Sequence, residues 1–308
     1  MSTELSAGPA PGTDWSRAAR LHPVEFQACW AALGLGDTPL ALDLRPTGST
    51  VAERDRIHRD ALVELARRGL ADHAGPCLPL AGALRLVATA PYLCDLRLTG
   101  STNGSTETGG AAELVAVGAA AREYGVVVAL GGGELTVLPV SGPRVPITLV
   151  ELIGPLNPAR TRPVNLPAEL LDQACASVPD GDLWALADRL VEFGVLPADA
   201  SSVARMCTGI TAAGQLGATA RVNTARVNTA RVDAARVDTA RVDAGAGGRS
   251  RERRGRWVVG FHRGEAGDCL QLRRPSGPGR ETVTIAPIDA PKLLAQLGEL
   301  LDHVRRAG

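Results

Sequence analysis

Near its C-terminus the chain reads Glu281-Thr-Val-Thr-Ile-Ala-Pro-Ile-Asp-Ala-Pro-Lys-Leu-Leu-Ala-Gln-Leu-Gly-Glu-Leu-Leu-Asp302. Val283 and Ile285 alternate with threonines, the period of a half-buried strand. Pro287 ends that strand. Asp289 suits an N-cap, and Pro291 falls where a helix loses nothing by its missing N–H. Leu293, Leu294, Leu297, Leu300, Leu301 and Val304 then recur at helical spacing. The unit predicts a strand, a tight corner and an amphipathic helix.

The same order occurs earlier, in Glu134-Leu-Thr-Val-Leu-Pro-Val-Ser-Gly-Pro-Arg-Val-Pro-Ile-Thr-Leu-Val-Glu-Leu-Ile153. The echo extends upstream. Leu21-His-Pro-Val-Glu-Phe26 and Leu166-Pro-Ala-Glu-Leu170 both open a helix behind a proline. Longer amphipathic stretches follow: Glu53 to Leu70, with Ile57, Ala61, Leu62, Leu65 and Ala66 on one face, and Asp182 to Val195, with Leu183, Leu186, Leu190 and Val191. Gly69 and Gly194 suit left-handed caps. Shorter helices are expected from Leu80 to Ala90 and from Pro197 to Met206. Four strands complete each half: Tyr92–Leu98, Ala112–Ala121, Val126–Leu130 and Leu135–Val140, then Ile210–Ala218, Trp257–Phe261, Cys269–Leu272 and Val283–Ala286. Matching order and length predict an internal duplication. A polar tail (1–20), expected to be disordered, is followed by halves at 21–160 and 161–306 of one α+β domain.

A composition of 45% hydrophobic but only 3% aromatic residues predicts a core of Ala, Leu and Val. The formal net charge is zero, which argues against whole-chain attraction to nucleic acid or membrane. The six cysteines lack C-x-x-C spacing and no histidine sits near enough to make a zinc knuckle, so all are expected reduced, as small buried hydrophobes. No metal or cofactor site is expected. The opening residues lack the basic start and apolar stretch of a signal peptide, and no apolar run reaches membrane-spanning length, so a cytoplasmic location is expected.

Thr219 to Ala244 repeats a pentad, Thr-Ala-Arg-Val-Asn/Asp. On a helix, successive valines rotate by roughly 140° and never form a stripe; on a strand an odd period alternates their faces. Arginine precedes valine where a pentapeptide β-helix wants Asp or Asn, which rules that architecture out. With the arginine-rich Gly245–Arg256, the segment 219–256 reads as an overgrown loop between two strands; closure entropy rises only logarithmically with length.

Gly131-Gly-Gly133 lies between two strand patterns and predicts a hairpin, since no helix follows to make a phosphate-binding loop. Gly100 to Gly110 is a polar loop without the G-x-S-x-G elbow. His22 flanks the first helix, His58 and His303 fall on polar helix faces, and His262 ends a strand. None joins a nucleophile and an orienting group. No catalytic residue is assigned.

His22-Pro-Val-Glu-Phe26 with Trp30-Ala-Ala-Leu-Gly-Leu-Gly36, the stretch Glu53 to Asp72 ending Leu-Ala-Arg-Arg-Gly-Leu-Ala-Asp, and the closing Val283-to-Leu297 segment resemble EspG-family proteins of actinobacteria. The resemblance runs from about Leu21 to Val304 and rests on packing patterns. It implies a central antiparallel sheet, two helical bundles and pseudo-two-fold repetition. It also implies a cytoplasmic chaperone of the ESX (type VII) secretion system that covers the apolar tip of a PE/PPE heterodimer or another ESX substrate, without catalysis. Extended from the family's surface, the contact residues are expected around Ile210, Gln215, Leu216, Val258 and Phe261, with Thr99 to Gly110 as an adjustable lip. Two departures stand out: the pentads, and a Val258–Cys269 segment that keeps only Phe261 of the family's aromatic-rich hairpin. Two other readings stay open: a nucleic-acid-associated regulator using the arginine loop, and a small-molecule enzyme with a pocket between the halves.

Overall fold

The computed structural model describes residues 18–100, 113–178, 182–222 and 251–307. In chain order, the first half contains β1 (Ala19–Leu21), α1 (Pro23–Ala32), a 3-10 turn (Leu40–Leu42), α2 (Val51–Arg67), the small hairpin β2 (Ala71–Asp72) and β3 (Gly75–Pro76), and α3 (Leu78–Thr89). It continues through β4 (Tyr92–Gly100), β5 (Glu113–Ala121), β6 (Tyr124–Gly131), β7 (Glu134–Ser141) and α4 (Arg144–Glu151). The second half contains β8 (Val164–Pro167), α5 (Ala168–Ser177), α6 (Leu183–Glu192), α7 (Pro197–Met206) and β9 (Ala212–Val222). It closes with β10 (Arg251–Arg254), β11 (Val259–Gly264), β12 (Gly267–Gly277), β13 (Arg280–Pro287) and α8 (Ala290–Ala307).

Eleven of the described strands form one sheet, in the order β1-β7-β6-β5-β4-β9-β11-β12-β13-β8, with β10 paired to β9 beyond the reach of β11. Every pairing between these strands is antiparallel. The halves meet where β4 and β9 pair from Tyr92↔Ala220 to Gly100↔Ala212, with Leu96 opposite Leu216. Outward from that seam, each half runs through its hairpins to a short edge strand that leads into its first helix.

Both faces of the sheet are covered. On one face α4 and α8 bury Leu96, Leu98, Leu216, Ala218, Val259 and Phe261 under Val145, Leu149, Leu293, Leu297 and Leu300. On the other, α1 to α3 pack on Val117, Val126, Val128 and Val137, and α5 to α7 pack on Val164, Leu166, Val283 and Ile285. In the first bundle Phe26 and Trp30 lie one helical turn apart and stack at 5.5 Å between ring centroids; both are buried.

Local chemistry sets the helix ends. His22 caps α1: its Nδ1 accepts from the Val24 N–H at 3.4 Å, and Glu25 returns the bond to the His22 N–H at 2.8 Å. Glu25 also takes Arg68 at 2.9 Å, tying α1 to the end of α2. Gly69 and Gly194 adopt φ of 70° and 87°. The Leu70 and Val195 N–H groups reach back to Leu65 and Leu190, closing both helices as their glycines anticipate. Asp289 accepts from the Lys292 N–H at 2.9 Å at the start of α8.

Several expectations need correction. The segment called a tail ends in β1, which pairs with β7; residues 1–17 lie outside the described residues. The first pentad begins inside the sheet: Thr219 and Ala220 pair with Leu93 and Tyr92. Arg251–Arg254 is a strand on β9, so the low-complexity insertion flanked by strands narrows to 223–250, which lies outside the described residues. Trp257 precedes β11; its ring sits 4.3 Å from that of His303. Ala66 and Val191 are exposed, because each bundle helix buries a narrower stripe than its apolar residues suggest.

The connection between the halves is anchored by one buried carboxylate. The Asp268 side chain accepts from Arg263 Nε at 2.8 Å and from the Asn157 N–H at 2.5 Å. Its backbone carbonyl accepts from the Ala159 and Ile288 N–H groups. Arg263 also donates to the Pro155 carbonyl at 2.6 Å. The linker between α4 and β8 and the approach to α8 therefore converge on Asp268.

Candidate partner-binding groove

The second bundle does not close fully on the sheet. A groove of about 570 Å³ remains between α5, the start of α6 and the strands beneath. Leu171, Cys175 and Val178 form one wall, and Leu183 and Leu186 another; Cys207 and Ile210 come from the segment joining α7 to β9. His262, Gln271 and Ile285 line the floor. Ile210 is 49% exposed. Beside Leu183, Trp184 projects outward at 82% exposure.

The groove walls are electrically quiet. Asp182 is engaged by the Ala185 N–H at 2.9 Å as the cap of α6. Burial pushes the Cys207 thiol up to about 11 and raises Cys175 as well, so both are neutral at physiological pH. Burial lowers the His262 pKa, against a Met206 carbonyl bond and the Asp268 charge that raise it. The neutral imidazole donates from Nε2 to the Met206 carbonyl at 2.9 Å. Asp172, outside the groove, is held down in pKa by a two-pronged bond from Arg273 at 2.5 and 2.9 Å.

Between the bundles, over the β4–β9 seam, lies a second depression of a different kind. Asp95 is buried there and pairs with Arg254 at 2.8 Å. Gly217 stands opposite Asp95 across the seam. A Cβ on Gly217 would lie 2.6 Å from Arg254 Nη2 and 2.7 Å from both Asp95 oxygens, so any larger residue there forces the pair to shift. Two cavities of about 130 and 270 Å³ flank it under Leu40 and Ala41. Arg97 meets Glu113 at 3.4 Å nearby.

The five expected contact residues separate. Ile210 lies on the groove rim. Gln215 and Val258 are half-buried and line the depression beside Asp95. Leu216 and Phe261 point to the opposite face and are buried at 0% and 5% exposure beneath α4 and α8. That corrects their assignment as surface contacts: alternate residues of one strand face opposite layers, and here both layers are filled. Thr99 and Gly100 belong to β4; the rest of the proposed lip, residues 101–110, lies outside the described residues. All six cysteines are free, and Cys175 is exposed where a buried hydrophobe was expected. Sequence reading missed Leu171, Cys175, Val178, Leu183 and Trp184.

Among the described residues no cluster of His, Cys, Asp and Glu could hold a metal ion. None of the described helices is long and apolar enough to cross a membrane.

One antiparallel sheet clasped between two helical bundles and a helix pair, with a largely apolar groove in one half, defines an α+β protein built around a binding surface. The chain belongs to the EspG family, whose model matches residues 22–242. Among solved structures it is similar to the Mycobacterium tuberculosis type VII secretion system chaperone EspG5, determined in complex with a PE25–PPE41 dimer. The TM-score is 0.64 at 15% identity, covering 93% of this chain and 96% of that one. No curated protein matches the sequence.

Proposed function

We propose that this chain is a cytoplasmic, non-catalytic chaperone of a type VII secretion system that holds a PE/PPE heterodimer soluble until export. The observation that carries the reading is an apolar groove of about 570 Å³ in a member of the EspG family. A secreted pair with an exposed apolar tip aggregates unless a complementary surface covers it. Ile210 and Trp184 offer apolar contact at the groove, and Gln215 and Val258 extend the surface toward the seam. Leu216 and Phe261 support it from within.

Binding needs no nucleotide; release comes from competition at the secretion machine. The arginines nearest the sheet support this reading over nucleic-acid binding, because Arg254 is engaged by Asp95 and Arg221 by the Val87 carbonyl. We also take the halves, 21–160 and 161–306, as copies of one duplicated module. The mirrored strand order about the β4–β9 seam supports that view.

Co-expression with a PE/PPE pair from the same organism tests the proposal. A stable complex is expected, with the pair precipitating when expressed alone. A pair that is equally soluble alone, with nothing co-purifying, removes the chaperone reading.

A further inference from the structure

The two bundles start alike and fill differently. Leu21 pairs with Leu135 on β7, and Leu166 pairs with Val283 on β13. Counted from these leucines, α1 and α5 begin at the equivalent residues Pro23 and Ala168. Phe26 then corresponds to Leu171, Cys29 to Ala174, and Trp30 to Cys175. Leu171 and Ala174 are buried like their counterparts. Trp30 and Cys175 differ. Trp30 is 3% exposed, stacked on Phe26, with its Nε1–H donated to the Gly36 carbonyl at 3.0 Å. Cys175 is exposed on the groove wall. One half carries two stacked aromatic rings where the other carries a leucine and a thiol; the cavity of about 470 Å³ beside α1 lies against Pro23, Val24 and Gln27, on a face of that helix away from Phe26 and Trp30.

We infer that Cys175 is the specificity-determining position of the groove, and that the space above it is filled in trans by two large apolar side chains one helical turn apart on a client helix. The first bundle shows the occupant's chemistry, since Phe26 and Trp30 are such a pair at i and i+4. Charge agrees with an apolar occupant: among the described residues lining the wall the one carboxylate, Asp182, caps its own helix. The groove volume suits a pair of aromatic or large aliphatic side chains, the kind that anchor interfaces in desolvated pockets. A small residue at 175 therefore admits the client, and a large one excludes it.

This inference rests on the chaperone reading, and the experiment separates the two. The probe is the same PE/PPE heterodimer. Cys175→Trp supplies the missing ring in cis; Cys175→Ala keeps the groove open. Circular dichroism and thermal melting establish that each variant is folded. Cys175→Trp is expected to bind at least roughly 30-fold more weakly than Cys175→Ala, the loss associated with a central anchor. Independently of that variant's folding, the bound pair should protect wild-type Cys175 from N-ethylmaleimide, read by mass spectrometry. A folded Cys175→Trp that binds with wild-type affinity, or a complex in which Cys175 is alkylated at the free rate, overturns the inference and leaves the chaperone reading intact. Failure of wild type to capture the pair overturns both.

Discussion

Replacing Asp268 by alanine should cost more than any single surface change in this protein. The Asp268 side chain is 4% exposed and that of its partner Arg263 is 23% exposed. The carboxylate takes both the Arg263 Nε–H and the Asn157 N–H. Alanine leaves that amide without its acceptor and removes the negative charge facing a mostly buried guanidinium. Breaking one side of a buried pair costs about 3–5 kcal/mol. At roughly 2–4 °C per kcal/mol for a chain of this order of size, the melting midpoint should fall by on the order of 10 °C. Chemical denaturation should show a lower midpoint at an unchanged slope. Glu64→Ala is the reference, since it breaks an exposed pair with Arg67 whose side chains are 51% and 71% exposed; such pairs contribute about 0–1 kcal/mol. Hydrogen exchange should locate the loss at Asn157 and Ala159, whose amides bond Asp268. If Asp268→Ala melts within a degree or two of Glu64→Ala, the view of Asp268 as the anchor of the inter-half connection is wrong.

Other changes test other elements. Gly217→Ala places a methyl against Asp95 and Arg254; it should release β10, seen as faster amide exchange at Arg253 and Gly255, whose N–H groups face β9, and unchanged exchange would show that the pair does not hold this strand. His262 gives a pH signature. Its pKa is lowered in the fold by burial, so the unfolded chain binds the extra proton first, and stability is full above about 6.5 and declines as pH falls below it; in His262→Gln the melting difference between pH 7.5 and 5.5 should shrink. Cys175 should react with a maleimide far faster than Cys29, Cys94 and Cys269, which burial pushes up to about 12; equal rates in intact mass spectra would contradict the packing. Replacing 223–250 with a two-residue turn should leave client binding unchanged. The insertion leaves β9 after Val222, and the groove adjoins its other end, 11 residues away, or about 35 Å.

The strand–proline–helix units were legible because each carries its own period and its own stop signals. Val283 and Ile285 announce β13, and Asp289 with Pro291 announces α8. The short strands β1, β8 and β10 carry too few residues for a pattern, and Arg251–Arg254 owes its extended shape to β9 and to the pairing of Arg254 with Asp95. Strands at β9 and β11 were legible, but a strand pattern cannot reveal that both faces are covered, and extending the family's surface put the buried Leu216 and Phe261 among the contacts. The groove left no local trace. We attribute it to Leu171 and Cys175 on α5 standing where α1 bears Phe26 and Trp30, a signal visible only when Leu21 and Leu166 are aligned and the helices counted from there.

The seam between β4 and β9 also has a consequence on the ribosome. When Gly100 has been made, the hydrogen-bonding edge of β4 that faces β9 has no mate until Ala212 to Val222 are synthesised, more than a hundred residues later. At about 5–20 residues per second that is on the order of ten seconds of translation. For that interval a nascent chain carries an open Leu- and Cys-bearing edge, which a neighbouring chain on the same messenger could claim. The protein proposed to shield others from aggregation passes through its own unshielded stage each time it is made.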